Sequence, residues 1–327
     1  MFIELAYKSL HNFWRYLLGS LLVIFASVIG QLPLTVAVLF KLGVSNMDNP
    51  EKLQSSMENL DQNAIMGVLD KNLTFFLILI SFVFAFGGLL FVIKFLHQQK
   101  LKDLVTTRAK FDWGRVWFAF GMIAIYTISA TLISYFYAPE ELLVSFSLVP
   151  FLILAVIAIL LVPIQTSVEE LVFRGYLMQG FGILAKNRWF PLLMTSFIFG
   201  GLHYFNPEIS AMGDIVMVFY FGTGLILGIM TLMDEGMELA LGYHAANNLI
   251  TALLVTADWT AFQTDSIFKD ISDPTAGIVD VLPVFIIYPI FLGILAYKYK
   301  WTGWKEKLFG AVNEPESPKL EDHFVAD

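Results

Sequence analysis

Eight long apolar runs dictate how this chain can fold. They cover residues 17–40, 73–95, 116–137, 146–162, 189–205, 215–233, 237–255 and 278–297. A helix needs about 20 mostly apolar residues to cross the hydrocarbon of a bilayer. The runs are continuous rather than alternating. They therefore read as helices, which satisfy their own backbone hydrogen bonds in lipid, and not as barrel strands. Composition points the same way. Of 327 residues, 57% are hydrophobic and only 15% are Asp, Glu, Lys or Arg, where a soluble domain carries about 25% charged residues. Such a chain cannot cover its surface with polar groups, so its partner is the lipid bilayer. The expected fold is all-α: a polytopic membrane bundle of about eight transmembrane helices. Cysteine is absent, which removes disulfides, a thiol nucleophile and a thiolate-bound zinc. A net charge of -8 does not suit a nucleic-acid partner.

Charges between the runs give the path a direction. Lys8 and Arg15 precede the first run. Lys100, Lys102, Arg108, Lys110 and Arg115 fill the connection 96–115, and Lys298, Lys300, Lys305 and Lys307 close the last run. Basic loops stay in the cytoplasm. Segments 46–70, 138–142 and 258–273 are rich in acids and are placed outside. An eight-crossing path with both termini in the cytoplasm satisfies every assignment. The start resembles a signal peptide, but no small-x-small cleavage site follows it, so it reads as a retained first span. Residues 1–145 then form a group of N-terminal helices with an outer loop 41–72 and a cytoplasmic loop 96–115. Residues 146–300 form the membrane core that carries the polar motifs. Residues 301–327, with Pro315, Pro318 and several acids, read as a disordered cytoplasmic tail. In the outer loop, Leu53, Met57, Leu60, Ala64 and Val68 recur at helical spacing. That suits either a helix lying on the membrane surface or a mobile loop.

Ionisable side chains inside apolar runs are costly, at least about 2.5–3.5 kcal/mol for a charge at the bilayer centre. Here they gather in the second half of the chain. Segment 167–184 is helical in pattern yet carries Glu169, Glu170 and Arg174. Glu170 and Arg174 are four apart, share a helix face and can pair. Glu169 points about 100° away and is left to face a cavity, as a general base would. A charged helix end at the interface is the plainer alternative. His203 follows Phe199-Gly200-Gly201-Leu202 near the end of its run. It reads as an interfacial packing residue or a catalytic one, and the glycines let a backbone or substrate approach. His244 and Asn248 are again four apart, and Asn247 can reach the same face; hydrogen bonding between helices would also explain them. Gly222, Gly224 and Gly228 read as a close helix contact rather than a site. Taken together, two acids, two imidazoles and an amide on three embedded helices are the parts of a hydrolytic site. A base would activate water, and donors would hold the oxyanion. Gly-x-Ser-x-Gly, His-Glu-x-x-His and the phosphate loop are all absent.

The ordered set Glu169-Glu170-x-x-x-Arg174-Gly175-Tyr176, Phe199-x-x-x-His203 and His244-x-x-x-Asn248 resembles the CPBP family. That family covers type II CAAX prenyl endopeptidases and the bacterial Abi proteins. The resemblance spans about residues 163–254, and beyond it the likeness is only that of generic membrane helices. It implies an intramembrane endopeptidase in the inner membrane of a bacterial cell, acting on a peptide or protein substrate, prenylated or not. It implies further that Glu169 is the base, helped by His203 in polarising a water. His244 and Asn248 would form the oxyanion site, and Glu170 with Arg174 would hold the first helix in place. The family has also been described as metallopeptidases. In that version a divalent ion such as zinc would be held by Glu169, His203 and His244. In the metal-free version the His-x-x-x-Asn pair supplies natural donors. The residues leave both versions open.

Two other function classes use the same residue types. Intramembrane acids and histidines build the proton relays of transporters, although the repeated halves expected of a transporter are not seen. A non-catalytic scaffold or immunity protein could share the fold. One spacing constrains every reading. On an eight-crossing path Glu169 falls near the end of the run from 146, whereas His203 lies fourteen residues past Trp189. The expectation is that Pro163 breaks the preceding helix, so that Glu169 begins inside the membrane. A full crossing by 167–184 is the other option.

Overall fold

The structure, a computed structural model, describes residues 1–58 and 62–315. We number the main helices α1 (Phe13–Ser45), α2 (Lys71–Phe91), α3 (Trp113–Tyr137), α4 (Leu148–Glu170), α5 (Met178–Ala185), α6 (Trp189–Leu202), α7 (Met217–Asp234), α8 (Glu238–Leu254) and α9 (Ile278–Tyr299). Three short strands are β1 (Leu142–Val144), β2 (Val255–Ala257) and β3 (Phe268–Asp270). The apolar runs fold as expected, into an all-α polytopic bundle. Six helices among the described residues are long and apolar enough to cross a membrane: Phe13–Ser45, Lys71–Leu96, Trp113–Tyr137, Leu148–Ala185, Asp214–Asp234 and Asp280–Tyr299. The count is six rather than eight, because α6 and α8 have only 14 and 17 residues. Asn206-Pro207 helps to end the α6 segment, since Pro207 opens the next short helix, Pro207–Met212, where its missing N–H costs nothing. The second short helix, α8, gives way to β2.

Pro163 does not break the chain's path. It lies inside α4, and the helix continues to Ala185 as one element of 38 residues. Proline removes only its own donor, and inside a bundle neighbouring groups can re-satisfy what it frees. The segment 167–184 is thus the lower half of the helix that begins at 148, neither a separate crossing nor a restart. Between α4 and α5 the residues Leu171–Leu177 widen to π-helical turns, a local rewinding often found at functional sites.

Two tight hairpins bring the polar motifs to one level. Lys186, at φ 54, turns α5 into α6, and Glu235, at φ 57, turns α7 into α8. Glu169 stands eighteen residues before Asn187 and His203 sixteen after it. At 1.5 Å per residue both lie about 25 Å from the turn. Both hairpin turns sit on the basic face. Thr106 pairs with Gly236 and Asn187 with Ala311. Arg108 binds Asp234 and Glu238, and Arg188 binds Glu4. At the opposite, acid-rich end the strands form a sheet in the order β1-β3-β2, with β1 antiparallel and β2 parallel to β3.

Close backbone approach holds the site helices together. A Cβ at Gly224 would lie 2.8 Å from the Ser196 carbonyl oxygen, so α7 lies directly on α6. Gly242 likewise lets α8 press on the backbone of α3 at Val116. These contacts match the packing role expected for Gly224. Below the motifs, Leu104, Tyr176, Met178, Leu232 and Met237 form a closed apolar layer, each 0–1% exposed. The outer loop holds two short helices, Pro50–Glu58 and Gln62–Val68. The expectation of a disordered tail from 301 is corrected in its first part. Trp304–Phe309 is helical and Val312 is buried in the core, because Leu308 and Val312 find apolar partners there. Residues 316–327 lie outside the described residues.

Candidate active site

The site starts from a charge that cannot be left alone. Glu170 and Arg174 are both wholly buried, and their i,i+4 spacing puts them on one face. Arg174 Nη1 donates to Glu170 Oε1 at 3.0 Å, and its Nη2 donates to the Gly224 carbonyl at 3.1 Å. The guanidinium also lies 4.3 Å from the ring centre of Phe199. The same oxygen, Glu170 Oε1, takes His244 Nδ1 at 2.8 Å. Arg174, Glu170 and His244 therefore form one buried unit that ties the α4–α5 helix to α7 and α8.

His244 is held between two carboxylates. Its Nδ1 faces Glu170, and its Nε2 lies 3.5 Å from Glu169 Oε2. With Nδ1–H given to Glu170, a neutral ring would turn its Nε2 lone pair toward Glu169. Glu169 is the more open carboxylate, at 15% side-chain exposure against 0% for Glu170. Its Oε2 has no hydrogen-bond partner among the described residues, though it is buried. Its Oε1 accepts from Gln165 Nε2 at 2.6 Å. Gln165 Oε1 accepts in turn from Asn248 Nδ2 at 3.2 Å, and Asn248 Oδ1 accepts from Asn247 Nδ2 at 3.1 Å.

His203 stands apart from this network. No hydrogen bond or ion pair among the described residues joins it to Glu169, Glu170 or His244. Phe199 lies between the two imidazoles, with ring centres 4.7 Å from His203 and 6.0 Å from His244. His203 Nδ1 donates to the Phe199 carbonyl at 2.7 Å, which leaves the Nε2 lone pair of the neutral ring for another donor. The ring stacks on Tyr220 at 4.4 Å, and Tyr220 Oη accepts from Asn206 Nδ2 at 3.3 Å. Beyond it lies Glu208, whose carboxyl is pushed up from its ordinary pKa by burial. The Ala261 N–H that it accepts, and its attraction to His203, act in the opposite sense.

The structure therefore gathers Glu169, Glu170, Arg174, His244 and Asn248 by direct or bridged contact and sets His203 one ring away. It also corrects the expected reach of Glu170, which orients His244 as well as pairing with Arg174. The ligand set Glu169, His203 and His244 is not assembled. No three His, Asp or Glu side chains among the described residues are grouped to hold an ion. Sequence reasoning missed Gln165 and Tyr220. Gln165 carried a usable signal, being a polar residue in an apolar run four places before Glu169. Tyr220 carried none, since an aromatic residue in a membrane helix is ordinary.

Comparison with known proteins agrees with the motif order. The sequence profile of a family described as type II CAAX prenyl endopeptidase, Rce1-like, matches residues 147–250. The uncharacterized protein YyaK of Bacillus subtilis is 30% identical over 247 residues, covering 75% of this chain and 79% of that protein. No solved structure matches the chain.

Truncating Arg174 leaves Glu170 charged and buried, a loss of about 3–5 kcal/mol for breaking one side of such a pair. Arg174→Met should lower the thermal unfolding midpoint in detergent sharply. Adding Glu170→Gln should recover part of the loss. An unchanged midpoint for Arg174→Met would contradict the buried pair.

Proposed function

Because the chain belongs to the Rce1-like family of type II CAAX prenyl endopeptidases, we propose that it is an intramembrane endopeptidase whose Glu169 activates the water that hydrolyses a peptide bond. One observation carries this reading. A buried carboxylate oxygen of Glu169, free of any hydrogen bond among the described residues, faces an imidazole that Glu170 and Arg174 hold in place from behind.

The chemistry follows from those contacts. With a proton on His244 Nε2, Glu169 is a carboxylate and can take a proton from water. The water oxygen bonds to the scissile carbonyl carbon, and its proton moves to Glu169. The carbonyl oxygen gains the negative charge and accepts from His244 Nε2–H and from the amide hydrogen of Asn248 that Gln165 does not use. Glu170 fixes the imidazole in place by accepting Nδ1–H. His203 accepts the water's second hydrogen at Nε2, which orients the attack. As the C–N bond breaks, Glu169 returns its proton to the leaving amine.

The substrate is a peptide or protein segment at the membrane, prenylated or not. The protein sits in a bacterial cell membrane with the basic face, and hence both termini, in the cytoplasm. A single cysteine placed at residue 313 of this cysteine-free chain should react with an impermeant maleimide in inverted vesicles and not in intact cells. Labelling from outside would reverse the orientation.

The test of activity uses an internally quenched, farnesylated CAAX peptide and purified protein in lipid vesicles. Glu169→Gln should reduce cleavage at least about 100-fold, the lower range for a lost general base, with an unchanged unfolding midpoint. A chelator should leave the wild-type rate as it was. Cleavage by Glu169→Gln at the wild-type rate would overturn the proposal, and loss of cleavage with chelator would overturn its metal-free form.

A further inference from the structure

Gln165 is a buried amide that no motif contains. It is 3% exposed and stands one helical turn before Glu169, on the same face of α4. We propose that Gln165 is a positioning residue for Glu169, and that with Asn248 and Asn247 it forms a relay of amides that decides which carboxylate oxygen takes the proton. This rests on the reading of Glu169 as the base.

The polarity of the relay follows from its end. A carboxylate only accepts, so the Gln165 amide must turn its NH2 to Glu169 Oε1, at 2.6 Å. Its carbonyl oxygen then faces α8 and requires a donor, which is Asn248 Nδ2 at 3.2 Å. That leaves Asn248 Oδ1 to accept from Asn247 Nδ2 at 3.1 Å. The orientation of all three amides is thus set from Glu169. Oε1 is kept as an acceptor, and the proton is directed to Oε2, the oxygen that faces His244 Nε2 at 3.5 Å. The relay also spends one of the two Asn248 amide hydrogens and aims the other. It joins the first and last motifs across α4 and α8, a link that their separate spacings do not reveal.

A buried glutamine that merely knits two membrane helices would look similar, so the test needs a readout that packing does not move. The charged and titratable groups around Glu169 are Glu170 and Arg174 on its own helix, His244 on α8, and Tyr220 on α7 beneath His203. None of these is altered by a change at Gln165. A misplaced base slows the chemical step while substrate binding stays as it was, so the readout is kcat against KM.

With the farnesylated quenched CAAX peptide, Gln165→Met, which keeps the volume and loses the donor, should lower kcat about 10- to 100-fold. KM should stay within twofold. Gln165→Glu keeps the shape but, as a carboxylate, replaces the donor with an acceptor. It should be at least as slow as Gln165→Met, again with KM little changed, and it decides the matter if Gln165→Met does not fold. Wild-type kcat in the folded variants would overturn the inference. Glu169→Gln in the same assay separates the two claims. If it is inactive while Gln165→Met and Gln165→Glu behave as wild type, only the relay fails; if it is active, the base assignment fails.

Discussion

Everything in this site leans on one carboxylate oxygen, Glu170 Oε1, which accepts from Arg174 and His244 at once. Taking a carboxylate and a guanidinium out of water costs several kcal/mol each, and their attraction offsets this only when the remaining polar atoms are also bonded. Arg174 meets much of that demand by donating to the Gly224 carbonyl and lying against the Phe199 ring. The arrangement is therefore more than an ion pair. It fixes the imidazole's rotation, selects which of its nitrogens meets Glu169, and locks four helices around the same point. Two adjacent glutamates come to differ in environment: Glu170 is wholly enclosed and bonded to Arg174 and His244, while Glu169 is partly open and faces His244 from the other side.

Backbone geometry makes that arrangement reachable. Gly224 allows α7 to lie against the Ser196 backbone, and this places its carbonyl where Arg174 can bond it. The π-helical turns from Leu171 to Leu177 shift the register just after the two acids. Gly175 there packs beneath Leu104 of the basic loop. The hairpin at Lys186 then returns the chain to the same height, so that residues thirty-four apart, Glu169 and His203, share a level, and the one at Glu235 brings back His244. The closed apolar layer beneath separates them from the basic face.

Much of this was readable in the residues, and what was not has definite causes. The pairing of Glu170 with Arg174, the freer position of Glu169 and the shared face of His244 and Asn248 follow from helix spacing alone. Hydropathy located the long membrane helices but miscounted the spans, because α6 and α8 are too short and their lengths depend on Pro207 and on the strand that follows Leu254. Pro163 suggested a break, whereas the surrounding bundle tolerates it. Spacing along one helix could not show that Glu170 would meet His244 on another, or that Phe199 would stand between the imidazoles. Gln165 was overlooked because a single amide in an apolar run has no partner until the helices are placed. The helix Trp304–Phe309 was hidden by the acidic, proline-bearing stretch that follows it.

The central claim is that Glu169 and His244 work as one catalytic unit. A double-mutant cycle on the rate constant for peptide cleavage, with Glu169→Gln, His244→Gln and the pair together, measures it directly. If the two groups act as a unit, the double variant is about as slow as the slower single one, since either change already disables both. Losses that multiply independently would show that the two side chains act separately and would contradict the account.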